Sequence, residues 1–253
     1  MDLNKIRKKA VEIARTGGNS TLGHFNKRID ITFKEDNSPV TIADQQAEEI
    51  IRAEINQHFP GHGIIGEEFG VENENSTVVW VIDPIDGTQS FIHGFPTFTT
   101  LIGVLVDGIP QVGVIYAPAL NEMVSASVGG GCFLNGERVN VRKCGDLNHA
   151  TLLTTDVTHI YKHKFDKPFK ELLNSVRIHR TWGDAYGHLM VATGRADIMF
   201  DPILKVWDAA ALLPVVTEAG GSYTDVNGNE TIETGNAIST NLILKSEILA
   251  FFE

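Results

Sequence analysis

Apolar residues at Leu3, Ile6, Ala10, Ile13 and Ala14 recur every three or four positions, the spacing of one helical face, and Gly17 with Gly18 is expected to break that helix. Ala47, Ile50, Ile51, Ile55 and Phe59 repeat the pattern and predict a second helix that stops before Pro60 and Gly61. The period then changes. Residues 63–66 and 78–82 are apolar, β-branched runs bounded by Gly or Pro and read as buried strands. Residues 97–106 and 111–116 predict a hairpin through Asp107, Gly108, Ile109 and Pro110. Runs at 123–128 and 132–134 flank three glycines, and Asn135-Gly136 is a hairpin turn signal before 138–141. From about residue 148, strands (151–155, 176–180, 196–200) alternate with helices (165–173, 183–193, 207–218), the last ending at Gly220 and Gly221. Two halves result: helices plus a large antiparallel sheet in 1–147, and a smaller α/β half in 148–253.

Composition narrows the class. An apolar content of 42% with 21% charged residues is that of a folded chain able to bury a sizeable core. The net charge of −11 argues against nucleic acid and against anionic membrane surfaces as partners. Cys132 and Cys144 stand in unrelated contexts, so neither a disulfide framework nor a zinc spacing is implied, and none of the histidines has metal-binding spacing. The N-terminus is charged from Asp2 to Lys9 without the apolar core of a signal peptide, and no apolar run is long enough to span a bilayer. A cytoplasmic enzyme is expected.

The candidate chemistry lies where the run 78–82 ends in Asp83-Pro84-Ile85-Asp86-Gly87-Thr88. Two carboxylates delivered by one strand end repel each other unless a cation sits between them. Hard divalent ions such as Mg²⁺ take carboxylate oxygens, carbonyls and water. Gly87 lets the backbone approach a ligand, and the amides that follow can point at an anion. The alternative is a plain turn, which Asp and Gly also favour. Three further segments add weight. Gly66-Glu67-Glu68 again runs a short strand into acids, Asp44 heads the second helical pattern, and Trp207-Asp208-Ala209-Ala210 puts an acid at the start of an apolar helix. Asp44 and Asp208, taken singly, are also open to the simpler role of helix-dipole partner.

Together, Gly-Glu-Glu, Asp-Pro-Ile-Asp-Gly-Thr and Trp-Asp-Ala-Ala resemble the motifs of the inositol monophosphatase superfamily, the lithium-sensitive metal-dependent phosphatases, in order and spacing over essentially the whole chain. The resemblance implies an α/β (α+β) fold, a layered α-β-α-β-α sandwich, with the site between the two halves. It implies Mg²⁺ as cofactor, two to three ions per site with Mn²⁺ able to replace it, and a homodimer. Glu67, Asp83 and the Ile85 carbonyl would hold one ion; Asp83, Asp86 and Asp208 would hold the second; a third would lean on Glu67. Asp44 and Thr88 would orient the attacking water, with Glu67 accepting its proton, and the amides of Gly87 and Thr88 would bind the phosphate. Glu68 is expected to be an exposed acid, the alternative being a group that supports the metal ligands from behind.

The substrate depends on the second half. Thr181-Trp182-Gly183-Asp184 and Asp201-Pro202 resemble the bacterial-type histidinol-phosphate phosphatases of this superfamily, whereas inositol-type members typically have small residues at 182 and 184 and a Glu at 201. Histidinol phosphate carries an ammonium and an imidazole, and Asp184 and Asp201 aimed at that end would favour a cation. Trp182 is expected either to cover the imidazole or to pack in the core. Asp184 has the competing reading of a helix N-cap. Tyr186 and His188 are expected to be packing residues, and Asp197 and Asp225 turn or surface acids. Asp86 and Asp208 would also touch the substrate. Hydrolysis of L-histidinol phosphate in histidine biosynthesis is the expected activity. An inositol-1-phosphate or broader small-ester phosphatase is the alternative, and a non-catalytic metal- or phosphate-binding module is the rival from another class.

Overall fold

Helices and two sheets alternate in five layers, as the sequence pattern and the resemblance predict. The computed structural model describes residues 1–34 and 38–253. The first layer is α1 (Leu3–Thr21) and α2 (Ile42–His58), joined through a two-stranded hairpin, β1 (Ile31–Phe33) and β2 (Pro39–Thr41). Ile6, Ala10, Ile13 and Ala14 of α1 are buried together with Ile51 and Ile55 of α2 against the sheet beneath. Gly17 and Gly18 do not break α1. A Cβ at Gly17 would come 2.4 Å from Ile51 and one at Gly18 2.6 Å from Tyr116, so the glycines permit a close crossing and the helix runs on to Thr21.

The second layer is an eight-stranded sheet of β3 (Gly63–Gly66), β4 (Gly70–Glu72), β5 (Val78–Asp86), β6 (Thr99–Val106), β7 (Ile109–Ala117), β8 (Glu122–Ser127), β9 (Gly131–Leu134) and β10 (Glu137–Val139). Its order is β10-β9-β8-β7-β6-β5-β3-β4, antiparallel at every pairing except β3 with β5. A short helix, α3 (Thr88–Ile92), follows β5. Along β5 the side chains alternate: Trp80 and Ile82 pack toward α1 and α2, while Val79 and Val81 pack toward Ala210 on the opposite side. Burial on both faces explains why this strand reads as an unbroken apolar run.

The remaining layers come from the second half. Its sheet has β11 (Thr151–Thr154), β12 (Ile178–Arg180), β13 (Ile198–Asp201), β14 (Gly221–Thr224) and β15 (Ala237–Asn241) in the order β12-β11-β13-β15-β14. The outer helices are α4 (Val157–Lys162), α5 (Asp166–Ser175) and α9 (Lys245–Leu249), which share a buried cluster with β11 and β13. Between the two sheets lie α6 (Asp184–Ala192), α7 (Val206–Ala209) and α8 (Leu212–Glu218). No described helix is long and apolar enough to cross a membrane.

The helix expected over 207–218 is two helices, interrupted at Ala210 and Ala211. Pro214 has no N–H to return to residue 210, so it fits the first turn of α8 and not the interior of a longer helix. The interrupted backbone presses on the sheet where β6 and β7 carry glycine. A Cβ at Gly113 would stand 2.1 Å from the Ala211 carbonyl oxygen, and one at Gly103 2.6 Å from the Ala210 Cβ. This seat fixes the height of α7 above β5 and β6.

Gly113→Ala is therefore expected to lower stability by about 1–3 kcal/mol, the range for overpacking a filled interior, in urea denaturation. Gly145→Ala, whose new Cβ would meet nothing closer than 3.7 Å, serves as the comparison and should be near neutral. Equal stability of the two variants would count against the seat.

Candidate metal-dependent active site

Asp83 and Asp86 are three positions apart, which in a regular strand would send their side chains to opposite faces. A bulge removes the mismatch. Asp83 pairs with Leu101 and Asp86 with Thr99, so Pro84 and Ile85 stand opposite Thr100 alone. The Thr100 hydroxyl donates to the Pro84 carbonyl at 2.8 Å and fixes the bulge. Both carboxylates then emerge on the side where α7 sits. Asp208, on α7, is held by accepting the Lys205 backbone N–H at 2.6 Å. Carboxylate oxygens of Asp83, Asp86 and Asp208 lie within 4.8 Å of one another.

Burial, then the Glu67 charge, holds Asp83 well above the ordinary carboxylate range; burial, then the Asp184 charge, does the same for Asp86; and burial with the Asp86 charge pushes Asp208 up to about 8. Asp86 Oδ2 accepts the Ala185 N–H at 2.8 Å and the Thr99 hydroxyl at 3.1 Å. Asp83 Oδ1 is buried and has no hydrogen-bond partner among the described residues. Three converging acids with a lone pair free suit a hard divalent cation with oxygen ligands.

The other predicted residues surround this cluster. Glu67 follows β3, lines the cleft, and pairs with Lys34 Nζ at 2.8 Å, outside the three-acid group. The Ile85 carbonyl accepts the Thr88 hydroxyl at 3.0 Å. Gly87 adopts φ +75°, and a Cβ there would lie 2.8 Å from Asp184 Oδ2, so only glycine fits both the turn and the approach. The amides of Thr88 and the next residues open α3 and have no partners within the helix. Asp44 is buried at the start of α2, where it accepts the Thr41 N–H at 2.8 Å and the Thr41 hydroxyl at 2.7 Å in a capping box. Burial, with added repulsion from Glu67, pushes Asp44 up to about 6. Its carboxylate and the Thr88 hydroxyl thus have separate partners.

Asp184 and Asp201, together with the three-acid cluster, line a cleft of about 440 Å³. Asp184 opens α6 with φ +53°, and its carboxylate lies 3.5 Å from the Ser90 hydroxyl without capping the helix. Burial and the Asp201 charge push it up to about 7. Asp201 ends β13, accepting the Thr155 hydroxyl on Oδ1 and facing His188 Nε2 at 3.0 Å from Oδ2. A larger hollow of about 570 Å³ between α1 and β8 is lined by Arg7, Arg15 and Ser125 and lacks any such acid cluster.

The sequence pattern of the inositol monophosphatase family matches residues 2–251. The chain belongs to the inositol monophosphatase family. It is accordingly a metal-dependent phosphomonoesterase by family. A histidinol-phosphatase from Chlorobaculum parvum is 40% identical over 242 residues, 92% of this chain and 93% of that protein. Among solved structures, SuhB from Bartonella henselae superposes with a TM-score of 0.92 at 28% identity, covering 98% of each chain. The Thermotoga maritima IMPase superposes at 0.88 with 31% identity, covering 97% of this chain and 95% of that one.

Several residues differ from expectation within this inositol monophosphatase fold. Trp182 is 41% exposed, with the Arg180 guanidinium 5.9 Å from its ring centroid. It neither packs in the core nor joins Thr181, Gly183 and Asp184 in lining the cleft. Glu68 is not an exposed acid: its side chain is 6% exposed and pairs with Lys34 at 2.7 Å, and burial pushes it up to about 7. Asp197 is buried in a fork with Arg142 and the Thr151 N–H, and Asp225 is a turn acid that is buried, accepting from Asn227 and Asn229. His188 is fully buried yet bonded through both ring nitrogens. Lys34 and Thr155 carried no signal beyond their position: one is an isolated cation between two predicted elements, the other the last residue of a predicted strand.

Asp208 gives a sign to the pH response of the metal-free protein. Its folded value of about 8 is above its ordinary 3.8, so the stability it contributes is full below about pH 4 and lost as pH rises through about 8. In EDTA, the unfolding temperature is expected to fall between pH 5 and 8 (about the window of that shift), less steeply in Asp208→Asn. Saturating Mg²⁺ should raise it and flatten the wild-type slope, since an ion that binds only the folded state stabilises it. A slope unchanged by both the substitution and the ion would contradict the arrangement.

Proposed function

We propose that this phosphatase hydrolyses L-histidinol phosphate to L-histidinol and phosphate, with Mg²⁺ as its metal and Mn²⁺ as a substitute, as a cytoplasmic homodimer. The observation that carries this reading is that two groups of acids line one cleft: Asp83, Asp86 and Asp208 from β5 and α7, and Asp184 and Asp201 from α6 and β13. The first group suits a metal and, through it, a phosphate. The second would be unfavourable beside a neutral polyol but complementary to an ammonium or imidazolium. The 40% identical histidinol-phosphatase supports the same choice.

Asp83, Asp86 and Asp208 would hold the ions, with Asp83 shared, and Glu67 and the Ile85 carbonyl would complete the first position. When bound, Mg²⁺ supplies Lewis acidity that lowers the pKa of water and offsets charge on the ester phosphate. The amides of Gly87 and Thr88 would bind the phosphate oxygens at the start of α3. Thr88 and Asp44 would orient the attacking water, and the Glu67 carboxylate would take its proton. Asp184 and Asp201 would receive the cationic end of the substrate, which aligns the ester for in-line attack. The attack would be direct, with no covalent phospho-enzyme, because an Asp83 carboxylate that holds metal would not be free to attack phosphorus.

A second reading, an inositol-1-phosphate phosphatase, draws support from the likeness to the Thermotoga maritima IMPase. Phosphate release with Mg²⁺ from histidinol phosphate, inositol-1-phosphate, fructose-1,6-bisphosphate and adenosine 3′,5′-bisphosphate separates the two. Histidinol phosphate is expected to be preferred by roughly a hundredfold in kcat/KM, a difference of about 2.7 kcal/mol that one charged contact can provide. A flat profile, or one led by inositol phosphate, would overturn the cation reading and leave the metal chemistry intact.

Asp201→Ala should raise KM for histidinol phosphate by about tenfold or more while changing that for a neutral ester little. Equal changes on both esters would remove Asp201 from recognition.

A further inference from the structure

α6 packs on the face of the five-stranded sheet that carries Met199 and Asp201 of β13 and Ser239 of β15. The register Met199↔Ser239 and Asp201↔Ala237 sets Ser239 and Asp201 on that same face, two register positions apart. His188 projects between them from the second turn of α6, one turn after Asp184. It is fully buried, with Nδ1 2.6 Å from the Ser239 hydroxyl and Nε2 3.0 Å from Asp201 Oδ2. In the arrangement of a neutral ring beside a carboxylate, Nε2 donates to Asp201 and Nδ1 accepts from the Ser239 hydroxyl. On its other oxygen Asp201 accepts the Thr155 hydroxyl, and the same Thr155 oxygen accepts the Asp184 backbone N–H at 2.7 Å. Every donor in this chain of bonds points toward Asp201, which lines the cleft.

We infer that His188, fixed by Ser239, is a positioning residue that holds the Asp201 carboxylate toward the substrate and thereby sets the preference for cationic phosphate esters. The inference rests on the cation reading of the cleft proposed above. A carboxylate gripped on both oxygens presents its remaining lone pairs in one direction, at little entropic cost on binding. Without the imidazole it would turn among several orientations and lose one charge-assisted hydrogen bond. His188 touches neither the metal carboxylates nor the phosphate-binding turn, so its effect should be confined to the organic half of the substrate.

The test compares kcat and KM for histidinol phosphate and for inositol-1-phosphate, with Mg²⁺, in the wild type, His188→Phe, His188→Gln and Ser239→Ala. His188→Phe is expected to raise KM for histidinol phosphate about tenfold, with kcat and the values for inositol-1-phosphate within about twofold. His188→Gln keeps an N–H donor and should recover most of the loss. Ser239→Ala removes only the far bond and should give a smaller shift of the same selectivity, which also decides the matter if His188→Phe does not fold. A wild type that prefers histidinol phosphate, with that preference unchanged in the variants or lost equally on both esters, would overturn this inference alone. A wild type indifferent to the two esters would overturn the cation reading and the inference with it.

Discussion

Three carboxylates converge in the interior of this protein, and their mutual repulsion is the constraint that the surrounding structure answers. At separations up to 4.8 Å, each ionised pair opposes folding by about 3 kcal/mol even with an effective dielectric near 20. Nothing local would bring them together. Asp83 arrives on a strand covered on both faces, Asp86 is turned to the same side by a bulge, and Asp208 is lowered onto them by a helix seated on Gly103 and Gly113. Backbone donors at Lys205 and Ala185 each take up part of the charge of one acid. Packing elsewhere carries the cost of the cluster, which is how a functional site is usually kept strained within a stable fold.

The motifs that bear this chemistry were legible because they are short and local. A strand ending in Asp-Pro-Ile-Asp-Gly-Thr declares both its burial and its turn, and Trp-Asp-Ala-Ala declares a helix start. The large sheet was legible as well, since β-branched apolar runs and the turns at Asp107-Gly108 and Asn135-Gly136 are written into neighbouring residues. Elements decided by distant contacts were not. Gly17 and Gly18 look like a helix break until Ile51 and Tyr116 are seen to need their missing side chains. The strands β1, β2, β14 and β15 are three to five residues long and owe their pairing to partners, with little signal of their own.

The misplaced acids make the same point. Glu68 and Asp197 have the sequence neighbourhoods of surface or turn carboxylates, yet both are buried against partners. Glu68 meets Lys34 across 34 positions, and Asp197 meets Arg142 across 55. A charge is buried only where a partner offsets its desolvation, and separations of that size leave no periodic trace. His188 has the sequence setting of a packing residue for the converse reason. One helical turn after Asp184 it lies on an apolar face, and only the register of β13 and β15 reveals that the face carries Ser239 and Asp201.

Construction from two sheets also separates two tasks. Asp83 and Asp86 hang from the eight-stranded sheet, and Asp208 is seated on it, so the three-acid cluster depends on that sheet's bulge and glycines. Asp184 and Asp201 hang from α6 and β13, braced by Thr155, His188 and Ser239 of the second sheet and its helix. The two groups meet across the cleft at Gly87 and Asp184, and at the bond from the Ala185 N–H to Asp86. A change in the bracing of the second wall can therefore alter what binds beyond the phosphate while the carboxylates of the first wall stay where they are. On the proposed reading, this is how related phosphatases with one metal site can act on esters as different as a polyol and an amino alcohol: the discriminating charges hang from α6 and β13, while the three clustered acids hang from β5 and α7.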